Sequence, residues 1–155
     1  MRLTASSRDT VLAVLDLAIH SDHAEGKAIK LQSIADRQMI PLSWLEQLFS
    51  RLRKQGIVSS IRGPGGGYLL AKHPSEISIS CLIACASGAI DMRECKGKEN
   101  CHINQRCLAH NLWEYINRKL HITLSQISIQ DMMQNLDLSS CDFAVKEYPE
   151  SHTKK

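Results

Sequence analysis

The sequence predicts a mainly α-helical chain: a winged helix-turn-helix followed by a thiol-rich loop and a long amphipathic helix. Three observations lead there. Short apolar-periodic segments flank a proline break, a Gly/Pro cluster separates two β-type runs, and five of the six cysteines fall between residues 81 and 107. At 155 residues the chain suits one domain, or one with an added element. With 43% hydrophobic but only 5% aromatic residues the core is aliphatic, and 23% charge argues against a wholly disordered chain.

Residues 8–20 (RDTVLAVLDLAIH) place Val11, Leu15, Ala18 and Ile19 on one helical face, with Ser6 and Asp9 as a capping box. The polar stretch SDHAEGKA interrupts the pattern. A second helix, 31–38, buries Leu31, Ile34 and Ala35. Met39–Pro41 is a tight break, because proline disfavours helix in the residue before it. The third helix, SWLEQLFSRLRKQG, carries the stripe Leu45, Leu48, Phe49 and Leu52, is capped by Ser43 and Glu46, and ends at Gly56. A start one or two residues earlier would put Pro41 in its first turn.

Residues 57–61 and 68–71 then read as the strands of a hairpin around RGPGGG. Helix, tight turn, helix, hairpin is the winged helix-turn-helix order. The net charge is only +3, yet residues 42–72 hold Arg51, Arg53, Lys54, Arg62 and Lys72 against a single acid, Glu46. Such a local basic patch suits a polyanion, and double-stranded DNA is the expected partner. The second helix of the motif enters a major groove with its N-terminal residues on base edges. Ser43, Trp44, Glu46 and Gln47 are therefore the candidate base readers. Arg51 and Arg53 lie within reach of phosphates, while Arg62 and Gly63 at the wing suit a minor groove. The glycine cluster lacks the Lys-Ser/Thr of a phosphate-binding P-loop and the strand-to-helix setting of a dinucleotide site.

After the wing, Ser78 caps a helix that Gly88 stops. A polar, irregular stretch follows. Then 108–120 aligns Leu108, Leu112, Tyr115, Ile116 and Leu120, widened by Trp113. So small a domain offers this helix no groove of its own, and a symmetric partner is the expected destination, giving a homodimer matched to a palindromic site. Ser128 and Asp131 cap a short closing helix. The boundaries expected are 1–76 for the winged helix-turn-helix, 77–107 for the helix and thiol loop, 108–138 for the dimerisation and closing helices, and 139–155 for a mobile tail.

No apolar run reaches the roughly 18–20 residues of a membrane span, and MRLTASSRD lacks the apolar stretch of a secretory signal. A cytoplasmic protein without membrane contact is expected, in which structural disulfides are rare and clustered cysteines point to metal. The array Cys95-x5-Cys101-x5-Cys107-x2-His110 offers three thiolates and one imidazole, a complete set for zinc or an iron–sulfur cluster. Structural zinc sites pair their cysteines as C-x2–4-C, so the wider spacing favours an iron–sulfur cluster. His102 is a rival to His110. Cys81 and Cys85, spaced i, i+4, share a helix face and could ligate metal, but read first as small packing residues. Cys141 reads as a bystander. An enzyme is disfavoured: there is no C-x-x-C redox pair, and no Ser/His/Asp or paired-carboxylate arrangement follows from the spacing.

MRLT, LSWLEQLFSRLRKQGIVSSIRGPGGGYLLAK and the C-x5-C-x5-C-x2-H array together closely resemble the Rrf2 family of bacterial regulators, over roughly residues 1–135. Within it they resemble the regulators of iron–sulfur cluster assembly. The resemblance implies a homodimeric winged-helix repressor with one [2Fe–2S] cluster per subunit on Cys95, Cys101, Cys107 and His110, supplied by the cluster assembly machinery. It implies repression of assembly genes when loaded and use of a second class of sites when cluster-free. The family's nitric-oxide sensors recruit an N-terminal Asp to a [4Fe–4S] cluster; here Arg8 matches that position, with Asp9 adjacent. Trp44 stands where relatives often carry Tyr. The alternatives are a nitric-oxide- or redox-sensing member of the family with a different cluster and a zinc-stabilised nucleic-acid module.

Overall fold

The computed structural model describes residues 5–23, 28–88, 98 and 105–134. Six helices and a hairpin follow in order among them: α1 Ala5–His23, α2 Leu31–Gln38, α3 Leu42–Lys54, β1 Val58–Ile61, β2 Gly67–Leu70, α4 Ile79–Ser87, α5 His110–Gln126 and α6 Ile129–Met133. A 3-10 turn at Pro74–Glu76 precedes α4.

Helices α2 and α3 form the predicted pair. Met39 takes the left-handed conformation at φ 55, and the Ile40 N–H reaches back to the Ala35 carbonyl at 3.1 Å. This is the usual helix-ending bond with Met in place of Gly, at a cost of about 1–2 kcal/mol. Pro41 then caps α3 through its carbonyl, which accepts from Trp44 and Leu45 at 3.1 Å. Ser43 therefore sits inside the helix, and the expected Ser43–Glu46 capping box is absent: no side chain caps α3. Gly56, at φ 67, ends α3 by the same kind of bond, Ile57 N–H to the Leu52 carbonyl at 3.0 Å.

The core gathers fully buried apolar side chains from every helix except α5, which adds only the partly buried Leu124. Leu17, Ile34, Leu45, Leu48, Phe49 and Leu52 are fully buried, joined by Ile77 and Leu82 and by Ile129. Each such side chain contributes about 1.5–3 kcal/mol by leaving water. Leu31 is only partly buried against them. In α1 the innermost face is Ala13, Val14, Leu17 and Ala18, with Val11 and Leu15 at its margin, one position off the expected stripe. The segment is apolar nearly all round, so periodicity alone leaves its facing undetermined. The described part of α1 begins at Ala5, which puts Ser6 inside the helix rather than at its cap.

Strand β1 pairs antiparallel with β2, Val58 opposite Leu70 and Ile61 opposite Gly67. Ile29 adds an antiparallel bridge to β2 by exchanging both backbone bonds with Tyr68, at 2.9 and 2.8 Å. Tyr68 in turn meets Phe49 edge to face, ring centroids 5.0 Å apart, which ties the wing to α3. A Cβ on Gly67 would run into the Ile29 backbone, so this close approach needs glycine.

Helices α4 and α6 enter side by side. Ser78 and Ser128 cap them as expected, and the two caps pair through Ile79 N–H to Ile127 carbonyl and Ile129 N–H to Ile77 carbonyl, each 2.9 Å. Helix α5 starts two residues later than expected and runs on to Gln126. Part of its apolar stripe stays in solvent in the single chain, with Leu112 52% and Tyr115 53% exposed, while Trp113, Ile116 and Leu120 are half-buried and Leu124 packs against the core. No described helix is long and apolar enough to cross a membrane. Cys95, Cys101, His102, Cys141 and the segment 139–155 lie outside the described residues.

Candidate nucleic-acid interface and thiol loop

The interface begins with how α2 holds α3. Asp16, mid-way along α1, is a lone acid in an apolar run, and its side chain is fully buried. Arg37 of α2 grips it with Nε at 3.0 Å and Nη2 at 2.6 Å, and the Gln38 amide donates at 2.7 Å. The bond to Asp16 holds the Arg37 guanidinium above its ordinary pKa, against the opposing effect of burial. The pair fixes α2 on α1, and with it the angle at which α3 leaves the surface. Sequence reading missed it. Its one signal is a carboxylate where the neighbours are Leu15 and Leu17.

With Leu45, Leu48, Phe49 and Leu52 turned inward, Ser43, Glu46 and Gln47 stand exposed on the outer face of α3. Glu46 has no partner among the described residues, and since it caps nothing, its carboxylate is available to a base edge. Trp44 is half-buried and packs against the core, so it props the first turn of α3. Arg53 lies beside the wing, Nη1 3.4 Å from the Ser60 hydroxyl. Arg62 is exposed where the strands part. The wing tip is a type II turn: Gly63 carbonyl accepts from Gly66 N–H at 2.8 Å, Pro64 fills the second position, and Gly65 supplies φ 83 at the third. Gly63 itself sits at φ 105, a conformation that only glycine adopts readily.

Arg51 has a different position from the other cations. Its Nη1 donates to the Ala86 carbonyl at 3.1 Å, in the last turn of α4. The recognition helix is thereby bonded to the helix that leads, past Gly88, into the thiol loop.

Of the expected ligand set, Cys107 and His110 are described. His110 opens α5, its N–H donating to the Cys107 carbonyl at 3.0 Å. It is 3% exposed, an unusual burial for the first residue of a helix, and Cys107 is half-buried beside it. The two residues are thus joined through the backbone on the turn that opens α5. Among the described residues no three metal-ligating side chains converge; the full set requires Cys95 and Cys101. Cys81, expected to pack, is instead exposed, while Cys85 lies half-buried against the core as expected.

The family profile described as "Rrf2: Iron-dependent Transcriptional regulator" matches residues 3–135. The chain is 46% identical over 138 residues to the HTH-type transcriptional regulator IscR of Serratia proteamaculans, covering 89% of this chain and 82% of that protein. The Yersinia pestis protein of the same name is 44% identical over the same length. Among solved structures, T. potens IscR superposes with a TM-score of 0.71 at 27% identity, covering 96% of this chain and 97% of that one. CymR, the global cysteine regulator of B. subtilis, superposes with a TM-score of 0.68 at 27% identity, covering 88% and 99%. These relatives are transcriptional regulators rather than enzymes. A winged helix-turn-helix with an outward recognition helix, matched by the family over nearly its whole described length, makes this chain a member of the Rrf2 family of transcriptional regulators.

Proposed function

We propose that the protein is a dimeric, cytoplasmic DNA-binding regulator whose choice of operator depends on a [2Fe–2S] cluster, one per subunit, held by Cys95, Cys101, Cys107 and His110. Loaded, it represses the genes for iron–sulfur cluster assembly; cluster-free, it binds a second class of sites. The assembly machinery itself supplies the cluster. The observation that carries this reading is the pairing of half-buried Cys107 with buried His110 on the turn that opens α5. Mixed thiolate and imidazole donors suit an iron–sulfur centre, and they belong to a chain similar along most of its length to regulators named IscR. When bound, the cluster supplies a loss-prone inorganic link, since one imidazole replaces a thiolate.

The chain's own residues do the reading. Ser43 and Gln47 face the major groove, where a glutamine amide pairs with adenine. Glu46 accepts from a cytosine amino group and is repelled by an acceptor-only edge, so it selects among sites. Arg53 and Arg62 hold phosphates and the minor groove at the wing, beside Gly63. Arg51, bonded to Ala86 at the end of α4, is the contact through which the state of the loop reaches α3. Only a difference in affinity between the two states for a given site moves regulation. The exposed stripe of α5, with Leu112 and Tyr115, is the dimer face.

In a selection from random duplexes, Glu46→Ala is expected to accept a broader set of sites than wild type at equal salt. Identical site preferences would remove Glu46 from the discriminating role. Visible absorbance with about two irons per chain after anaerobic purification is expected of the cluster; a colourless protein with one zinc would replace it.

A further inference from the structure

The two cysteines outside the ligand array form a site of their own. Helix α4 runs unbroken through Ile79–Ser87, so Cys81 and Cys85, one turn apart, lie on the same face. Neither is in a disulfide; Cys81 is exposed and Cys85 half-buried. At this spacing on an α-helix the two Cβ atoms stand about 5–6 Å apart, and Arg51 of α3 brings its positive charge to Cys85. Burial pushes the Cys85 thiol above its ordinary pKa, the neighbouring Cys81 adds to this, and Arg51 opposes it. A lone thiol so placed would be a poor nucleophile. Two thiols one helical turn apart are a chelate.

We propose that Cys81 and Cys85 form a bidentate site for trivalent arsenicals, separate from the Cys95, Cys101, Cys107 and His110 set. Two thiols one turn apart on a helix present their sulfurs side by side. They suit a pyramidal centre, which takes adjacent sulfurs. The exchange is not a redox step. An arsonous centre carrying two hydroxyls gains two As–S bonds and loses two As–O bonds, and each thiol proton leaves with a hydroxyl as water. The net exchange consumes two neutral thiols and releases water, so the raised Cys85 thiol does not oppose ring closure once Cys81 is attached. Exposed Cys81 makes first contact and Cys85 closes the ring, with the helix already holding both at the required spacing. The site stands on α4 whatever the thiol loop contains.

The test uses the full chain, cluster-free, with phenylarsine oxide as probe and intact mass as readout. Cys95, Cys101, Cys107 and Cys141 are all changed to Ser, which removes every other thiol. This variant is expected to take up one phenylarsenic group per chain with loss of two thiol protons, and to resist a monothiol competitor. Adding Cys81→Ser or Cys85→Ala is expected to weaken binding by about a hundredfold or more, the gain two linked sites give over one. Helical circular dichroism of each variant checks the fold. Should the quadruple variant unfold, alkylation mapping of the wild-type chain takes its place: the probe is expected to protect Cys81 and Cys85 together from iodoacetamide. No adduct in the folded quadruple variant, an adduct indifferent to Cys81→Ser, or protection of only one of the two thiols overturns the proposal.

Discussion

Replacing Arg37 with Ala tests how the recognition helix is aimed. Asp16 has no exposed side-chain surface, and its carboxylate is satisfied by Arg37 Nε and Nη2 and by the Gln38 amide. Without the guanidinium, the buried carboxylate keeps the Gln38 amide and, at 3.4 Å, His20 Nδ1. Removing one partner of a buried pair costs about 3–5 kcal/mol. The surviving Gln38 bond puts the expected loss at the lower end, about 3 kcal/mol, or a fall of roughly 6–12 °C in Tm for a chain of this size. Asp16→Ala should cost less, about 1–2 kcal/mol, because it removes the buried charge and Arg37, already 34% exposed, turns to water. Replacing both by Leu should recover much of the loss. Urea and thermal unfolding of the three variants measure this directly. A loss below about 1 kcal/mol for Arg37→Ala would mark an ordinary surface pair and refute the clamp.

Other outcomes follow from the same geometry. Gly67→Ala should detach the wing from Ile29, seen as faster amide exchange at Ile29 and Tyr68, since its Cβ meets the Ile29 backbone. Arg53→Ala and Arg62→Ala should each weaken DNA binding across sequences and reduce the salt slope by about one. Ser128→Ala should cost about 1 kcal/mol of stability through loss of the α6 cap, measured by urea unfolding. The same cap holds the Asp131 carboxyl below its ordinary pKa, by bonds from the Ser128 hydroxyl and then its backbone N–H. A lowered folded value means stability present above the unfolded carboxylate pKa and lost as pH falls through the folded one. The deficit of Asp131→Asn should therefore be full at neutral pH and vanish in strong acid.

Much of the architecture was legible where local chemistry is decisive. Pro41 ends one helix and caps the next, Ser78 and Gly88 bracket α4, and Ser128 with Asp131 opens α6. The errors have physical causes. In α1 an apolar circumference hid which side faces inward. At α3 the proline carbonyl took the cap that Ser43 was expected to provide. The contacts that aim the interface join residues far apart in sequence: Asp16 to Arg37, Ile29 to Tyr68, Arg51 to Ala86. No periodicity or motif encodes such pairs. Of the thiol array, spacing alone brought out Cys107 and His110 as neighbours, and it could not foresee that His110 would be buried.

Anaerobic DNA footprinting of one preparation, before and after its chromophore is removed, separates a cluster-governed regulator from a plain winged-helix binder. Protection is expected at cluster-assembly promoters only while the colour persists, with a second set of sites still covered once it is gone. The same footprints from coloured and bleached protein, or a preparation that never held iron, would contradict that reading.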